Sequence, residues 1–170
     1  RLCERGMLNA QVTTLITDRT CDVLKKAEKW PECRSVNLDC PKDMSSSEVS
    51  KKIAEELKHE EIDLLCLSYN RLIMEPILSK FPNKILNMHL SLLPAYPGFG
   101  GVSEALSAGT CFGGATIHFV DESIDGGPML IQSVIPLAPD MDKTAYEQEL
   151  FLHLCQDYAQ AIDWIIQSRV

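Results

Sequence analysis

The chain has 170 residues, of which 45% are hydrophobic and 24% charged, and its formal net charge is −8. These proportions indicate one folded domain over residues 1–170 and exclude a disordered, collagen-like or coiled-coil protein; no apolar run approaches the ~18 residues that a membrane span needs. The negative charge, without any basic cluster, disfavours nucleic-acid binding, which requires a positive surface to neutralise phosphates.

Residues 1–6 resemble the tail of a helix that ends at Gly6, and no strand precedes them. A doubly wound sheet usually begins with a strand. We therefore expect the first strand and the turn after it to lie upstream of Arg1.

The first half of the chain then alternates between strand-like and helix-like segments. Ser45-x-x-Glu48 is a capping-box pattern, in which each side chain satisfies a free N–H group at a helix start. With right-handed crossovers, the alternation predicts a parallel sheet flanked by helices. The predicted strands cover residues 10–17, 36–38, 62–68 and 84–88, and the predicted helices cover 21–30, 45–58 and 76–81.

The second half of the chain no longer shows this regular alternation of strands and helices. A short helix fits residues 102–108, and Gly109 is expected to end it. Two strands, 114–120 and 129–135, flank an acidic, glycine-rich loop, and a long amphipathic helix covers about 144–167. The predicted fold is a Rossmann-like three-layer α/β sandwich, with a mostly parallel sheet, an antiparallel C-terminal portion and a long C-terminal helix.

Three polar residues lie where such a sheet builds its site, beyond the carboxyl ends of its strands. Asn87 and His89 close a predicted strand, two residues apart, so their side chains can point the same way. Asp125 lies in the acidic loop. A histidine beside a carboxylate can act as a general acid or base, and an asparagine amide can donate to an oxyanion, although caps and turns are the commoner roles of such residues. His118, which alternates with apolar neighbours, is predicted to be a strand residue without chemistry.

The sequence around these residues resembles the folate-dependent formyltransferases. The resemblance rests on N-x-H-x-S-L-L-P from Asn87 to Pro94 and on D-x-G-P from Asp125 to Pro128. It is closest to the members that act on glycinamide ribonucleotide in purine biosynthesis. The resemblance implies the formyltransferase fold, with Asn87, His89 and Asp125 as the catalytic triad. It also implies a phosphate-binding loop upstream of Arg1, outside this chain.

The resemblance further implies a pterin pocket built from backbone in two segments. Gly98 is expected to let the backbone approach the substrate closely, and Asn87 is expected to contact the substrate too. Arg71 either contacts the ligand or makes a surface salt bridge. The implied donor-binding residues are Asn70, Arg71, Leu72 and Ile73 in the first segment and Val120, Asp121, Glu122, Ser123 and Ile124 in the second.

The implied reaction is transfer of a formyl group from the co-substrate 10-formyltetrahydrofolate to the amine of glycinamide ribonucleotide. Asn87 and His89 would donate to the formyl oxygen, while Asp125 would hold His89 and help a water to move the proton. A formyltetrahydrofolate hydrolase, a sugar-amine formyltransferase and a folate-binding homologue without activity remain as alternatives.

Seven widely spaced cysteines without a C-x-x-C pair fit neither a disulfide framework nor a zinc site. They are typical of reduced thiols, so we expect a cytoplasmic protein without a metal. Its partners are expected to be small-molecule substrates rather than nucleic acid or membrane. We expect a monomer or a homodimer.

Overall fold

A computed structural model of the chain describes residue 3 and residues 5–168. Its internal contacts divide the chain into two units, and the single domain predicted over residues 1–170 stays a prediction. The first unit contains the chain up to Ile62 together with Arg71–Lys80; the second contains Asp63–Asn70 and the chain from Phe81 onward. Within the described part, no helix is long and apolar enough to cross a membrane.

The first unit contains two parallel strands, with Thr14 opposite Arg34 and Thr17 opposite Asn37. The helix tail expected over residues 1–6 lies partly outside the described residues, and the expected upstream strand lies wholly outside them. At Gly6 the backbone is left-handed, with φ of 65°. The elements of this unit are β1 (Thr14–Thr17), α1 (Asp22–Ala27), β2 (Arg34–Asn37), α2 (Ser46–Glu56) and α3 (Ile77–Lys80).

The second unit contains a four-stranded mixed sheet and the long C-terminal helix. Its first two strands are parallel, and the other two are antiparallel to their neighbours. This agrees with the predicted order and confirms the α/β class, the antiparallel C-terminal portion and the closing helix. The elements are β3 (Leu65–Leu67), β4 (Ile85–His89), α4 (Gly101–Ser107), β5 (Phe112–Phe119), β6 (Met129–Pro136) and α5 (Lys143–Ile166), with the strands in the spatial order β3-β4-β5-β6.

Helix α2 begins where the capping box predicts. Ser45 Oγ accepts a hydrogen bond from Glu48 N at 3.2 Å, and Glu48 Oε2 accepts one from Ser45 N at 3.1 Å. At the other end, Lys80 Nζ donates to Leu57 O at 2.6 Å. Both ends of the helix therefore satisfy backbone groups that have no partner inside it. The side of α2 that carries Val49 and Ile53 is buried.

An ion-pair cluster just after β1 joins three segments of the first unit. Asp18 is 5% exposed and accepts from Arg19 Nε at 2.8 Å and from Arg71 Nε at 3.0 Å. Arg71 also donates to the carbonyl oxygens of Met44 at 2.6 Å and Pro41 at 3.1 Å. Burial alone would raise the pKa of Asp18, but the hydrogen bonds and charges of the two arginines outweigh it and lower the pKa.

Replacing Asp18 with Asn is expected to destabilise the protein by about 1–3 kcal/mol at pH 7, because it leaves the half-buried guanidinium of Arg71 without its carboxylate. Since the folded-state pKa is lowered, the ion pair contributes fully above the ordinary aspartate pKa of about 4 and is lost as the pH falls through the folded value. The free energy of unfolding, measured with urea at pH 7 and in acid, should fall less on acidification for Asp18→Asn than for the parent. Asp22→Asn is the control, because the Asp22 side chain is 89% exposed; equal pH dependence of Asp18→Asn and the parent would contradict the prediction.

Helix α5 covers the sheet of the second unit and supplies much of its core. Tyr146, Leu150 and Ala161 are fully buried, and they pack with Leu86 and Ile117 of the sheet. Two adjacent glycines, Gly113 and Gly114, lie on β5 where Tyr146 approaches it. Tyr146 Oη accepts a hydrogen bond from Gly114 N at 2.8 Å. A Cβ at Gly113 would overlap this same hydroxyl. The close approach of helix and strand therefore requires glycine.

Gly113→Ala is expected to cost about 1–3 kcal/mol of stability, the usual range for overpacking a filled core. The thermal unfolding midpoint should fall clearly. Phe112→Ala, at the 58%-exposed neighbour in the same strand, should have a much smaller effect. A Gly113→Ala variant as stable as the parent would mean that α5 can move away from β5 at little cost.

Candidate active site

Strand β4 carries two of the three predicted catalytic side chains. Asn87 lies opposite His118 of β5, and His89 lies opposite Thr116. His89 is 6% exposed; its Nε2 lies 2.9 Å from the carbonyl oxygen of Tyr96, and its Nδ1 lies 3.3 Å from Asp125 Oδ2. Because a carbonyl oxygen can only accept, His89 Nε2 carries a proton.

Asp125 lies at the reversal of the loop between β5 and β6. A hydrogen bond from Phe119 N to Pro128 O at 2.9 Å closes the base of the loop, and Val120 N donates to Ile85 O of β4 at 2.9 Å. Asp125 itself has left-handed backbone, with φ of 51°, a conformation that aspartate adopts more readily than most residues. The loop thereby brings its carboxylate against His89.

The segment after β4 supplies a second contact of this carboxylate. Gly98 N donates to Asp125 Oδ2 at 2.7 Å, and Gly98 has φ of 83°. A side chain at this φ is strained, so glycine suits the position. The structure brings Asn87, His89, Asp125 and Gly98 together, as the sequence predicts. Contact of Gly98 with a substrate stays a prediction.

A polar network, which the sequence did not reveal, holds this segment against the sheet. Thr116 Oγ1 donates to Ser91 O at 2.7 Å and accepts from Leu93 N at 3.1 Å. Gln132 of β6 donates to Leu93 O at 2.8 Å. These bonds join the start of the segment to β5 and β6, so they support the backbone that carries Tyr96 and Gly98.

His118 belongs to the same side-chain cluster, which sequence reasoning missed. It is 1% exposed, and its Nε2 lies 3.3 Å from Asn87 Nδ2 and 3.6 Å from Asp125 Oδ1. His118 lies in a strand as predicted, but its side chain contacts two of the three predicted catalytic residues. The only sequence signal was its place on the strand that flanks Asp125, which does not reveal the cross-strand pairing with Asn87.

The predicted donor-binding residues fall in both units. In the first unit, Arg71 is paired with Asp18, Leu72 is 41% exposed and Ile73 is buried. Asn70 lies in the second unit, as does the whole loop from Val120 to Ile124. Their part in donor binding stays a proposal.

Within that loop the backbone is ordered by a local turn. Asp121 Oδ1 accepts from Ser123 N at 2.8 Å and from the Ser123 hydroxyl. These hydrogen bonds lower the pKa of Asp121, which therefore stays ionised at neutral pH. Glu122 and Ser123 are exposed, and Val120 is half-buried.

Exposed apolar side chains adjoin the polar cluster in sequence. Leu90 follows His89 and is 40% exposed, Phe99 follows Gly98 and is 73% exposed, and Ile124 precedes Asp125 and is 60% exposed. A binding site commonly combines apolar surface with a few placed polar groups. Chemically, the cluster offers a half-buried carboxylate, a histidine and an amide donor, a set suited to proton transfer and to stabilising an oxyanion. Among residue 3 and residues 5–168, no group of three or more His, Cys, Asp or Glu side chains could hold a metal ion.

Comparison with known proteins gives consistent similarities. A family model described as formyl transferase matches residues 2–160. The chain is 37% identical over 111 residues to the trifunctional purine biosynthetic protein adenosine-3 of Drosophila melanogaster, covering 64% of the chain and 8% of the fly protein. It is 28% identical over 176 residues to phosphoribosylglycinamide formyltransferase of Haemophilus influenzae, covering 99% of the chain and 80% of that protein. The crystal structure of glycinamide ribonucleotide transformylase 1 from Symbiobacterium toebii superposes with a TM-score of 0.88 at 30% identity, covering 99% of the chain and 80% of that structure.

Proposed function

This chain belongs to the formyl transferase family, and on that basis we propose that it transfers a formyl group from 10-formyltetrahydrofolate to the amine of glycinamide ribonucleotide in purine biosynthesis. The main structural support for the proposal is one contact. The Asp125 carboxylate lies 3.3 Å from His89 Nδ1, at the end of the strand that also presents Asn87. The names of the similar proteins supply the acceptor, and the donor is the one that the sequence resemblance implies.

In the proposed reaction, the amine nitrogen attacks the formyl carbon and a negative charge develops on the formyl oxygen. Asn87 Nδ2 donates to this oxygen. The new C–N bond forms, the bond to the folate nitrogen breaks, and that nitrogen receives a proton. Asp125, with a water, moves the proton from the attacking nitrogen to the leaving nitrogen.

His89 has a more constrained part in this proposal. Its Nε2 proton is directed at Tyr96 O, 2.9 Å away, and its Nδ1 faces Asp125. Donation from His89 to the formyl oxygen therefore requires its Nε2 proton to leave Tyr96 O. Asn87 needs no such exchange, because an amide nitrogen has a second hydrogen beyond the one directed at His118.

For the donor, we propose that its pterin ring contacts the backbone of Val120–Ile124 in the second unit; contact with Asn70–Ile73 stays the expectation that the resemblance gives. Phe99 and Ile124, next in sequence to Gly98 and Asp125, are exposed and offer apolar surface. The acceptor amine approaches past Gly98, where no side chain intervenes. We place the reaction in the cytoplasm, which accords with seven cysteines that are all unpaired, and the enzyme acts as a monomer or homodimer.

The test is a pair of assays on the full-length protein. With 10-formyltetrahydrofolate and glycinamide ribonucleotide, formylated ribonucleotide and tetrahydrofolate should form in equal amounts, and omitting the amine should abolish turnover. Formate release without any amine would instead identify a hydrolase. Turnover only with an amino sugar would identify a sugar-amine formyltransferase, and folate binding without turnover would identify an inactive homologue.

A further inference from the structure

The two ring nitrogens of His118 have different partners, and these partners determine where its proton lies. Nδ1 is 2.8 Å from the carbonyl oxygen of Phe119. A carbonyl oxygen only accepts, so Nδ1 carries the proton. Burial lowers the pKa of His118 and thereby keeps the ring neutral at pH 7. Nε2 therefore presents a lone pair.

This lone pair faces the Asn87 side chain at 3.3 Å. Only the NH₂ end of the amide can donate to it, so the carbonyl end of Asn87 must point elsewhere. Asp125 Oδ1, 3.6 Å from the same nitrogen, is also an acceptor and receives no proton from the neutral ring. We propose that His118 is a positioning residue that sets the orientation of the Asn87 amide. Its contribution to the rate rests on the proposed function; its effect on the amide does not.

The orientation matters because the two ends of an asparagine amide have nearly the same shape and opposite polarity. With NH₂ facing His118, the second N–H of that group can stabilise a developing oxyanion beside it. With the amide reversed, its carbonyl oxygen would repel the same charge. Without His118, no described group opposite Asn87 selects between the two orientations.

A double-mutant cycle tests the effect on rate. His118→Leu should lower kcat by about 10-fold or more, the value of one lost hydrogen bond, while KM for the folate donor changes less. In an Asn87→Ala background, the same replacement should have little further effect, because the residue through which it acts is gone. His118→Gln, whose amide oxygen can accept, should retain more activity than His118→Leu.

His59→Leu is the matched control, since His59 is exposed and distant in the chain from the cluster. Unfolding midpoints show whether each variant is folded. If His118→Leu does not fold, the same cycle can be run with His118→Gln. Equal losses from His118→Leu in the parent and in Asn87→Ala would overturn the proposal, because His118 would then act independently of Asn87.

Nitrogen-15 NMR of the parent protein without substrate tests the orientation itself. We expect His118 to be protonated at Nδ1 and unprotonated at Nε2 at pH 7, with an Asn87 amide hydrogen coupled to Nε2. A proton on Nε2 would overturn the inference whatever the activity. Conversely, if this NMR result holds but no formyl transfer occurs, the proposed function fails and the positioning of Asn87 stands.

Discussion

Replacing Asp125 with Asn is expected to lower kcat by about 10²- to 10⁴-fold, the usual contribution of general acid–base catalysis. Asparagine has nearly the same size as aspartate. Its side-chain oxygen can still accept the hydrogen bond that Gly98 N donates to Asp125 Oδ2 at 2.7 Å in the parent. It carries no charge, however, and cannot take up the proton that must move between the two nitrogens. The expected result is a folded protein that binds folate and turns over poorly.

Steady-state formyl transfer and folate titration measure the two parts of this prediction. Asp140→Asn makes the same chemical change at an exposed position of the second unit and should leave kcat unchanged. If Asp125→Asn kept a near-parent kcat, Asp125 would be a structural residue of the loop and the proton would travel by another route.

Asn87→Ala is expected to lower kcat by about 10²- to 10³-fold, as the loss of one oxyanion donor does in other enzymes. The methyl group cannot donate to the formyl oxygen, and it leaves the Nε2 lone pair of His118 without a partner. KM for the donor should change much less, because the interaction strengthens only as charge develops.

Asn87→Asp gives a sharper contrast, since it preserves the shape and replaces the donor with a negative charge. Its kcat should fall at least as far as that of Asn87→Ala. Asn9→Ala, at an exposed site in the first unit, is the control for an asparagine of no catalytic role. An Asn87→Asp variant more active than Asn87→Ala would contradict the role of the amide as an oxyanion donor.

Local interactions explain which parts of the fold the sequence predicts well. The start of α2 follows from the reciprocal bonds of Ser45 and Glu48, and the end of α4 follows from Gly109, whose φ is 64°. Strand ends are less predictable. The strand predicted over residues 10–17 is shortened to Thr14–Thr17, because its ladder extends only as far as the partner residues Arg34–Asn37.

The candidate site divides in the same way. Asn87, His89 and Asp125 could be identified because their short motifs are continuous in sequence. His118 could not, since its contact with Asn87 depends on the register of two antiparallel strands 31 positions apart in the chain. Arg71 and Asp18 lie 53 positions apart in the chain. Because such a distant pairing is not visible in the sequence, the choice between ligand contact and salt bridge for Arg71 stayed open.

The covering of the second sheet by α5 has a consequence for synthesis on the ribosome. The strands that bear Leu86, Ile117 and Ile135 are made before Tyr146, Leu150 and Leu154, which bury them in the finished protein. Since a chain emerges from its N-terminal end, these apolar faces meet water until α5 has left the exit tunnel. During synthesis there is thus an interval in which the apolar strands have been synthesised and α5 has not yet emerged. A chaperone that binds apolar strands could bind the nascent chain during that interval.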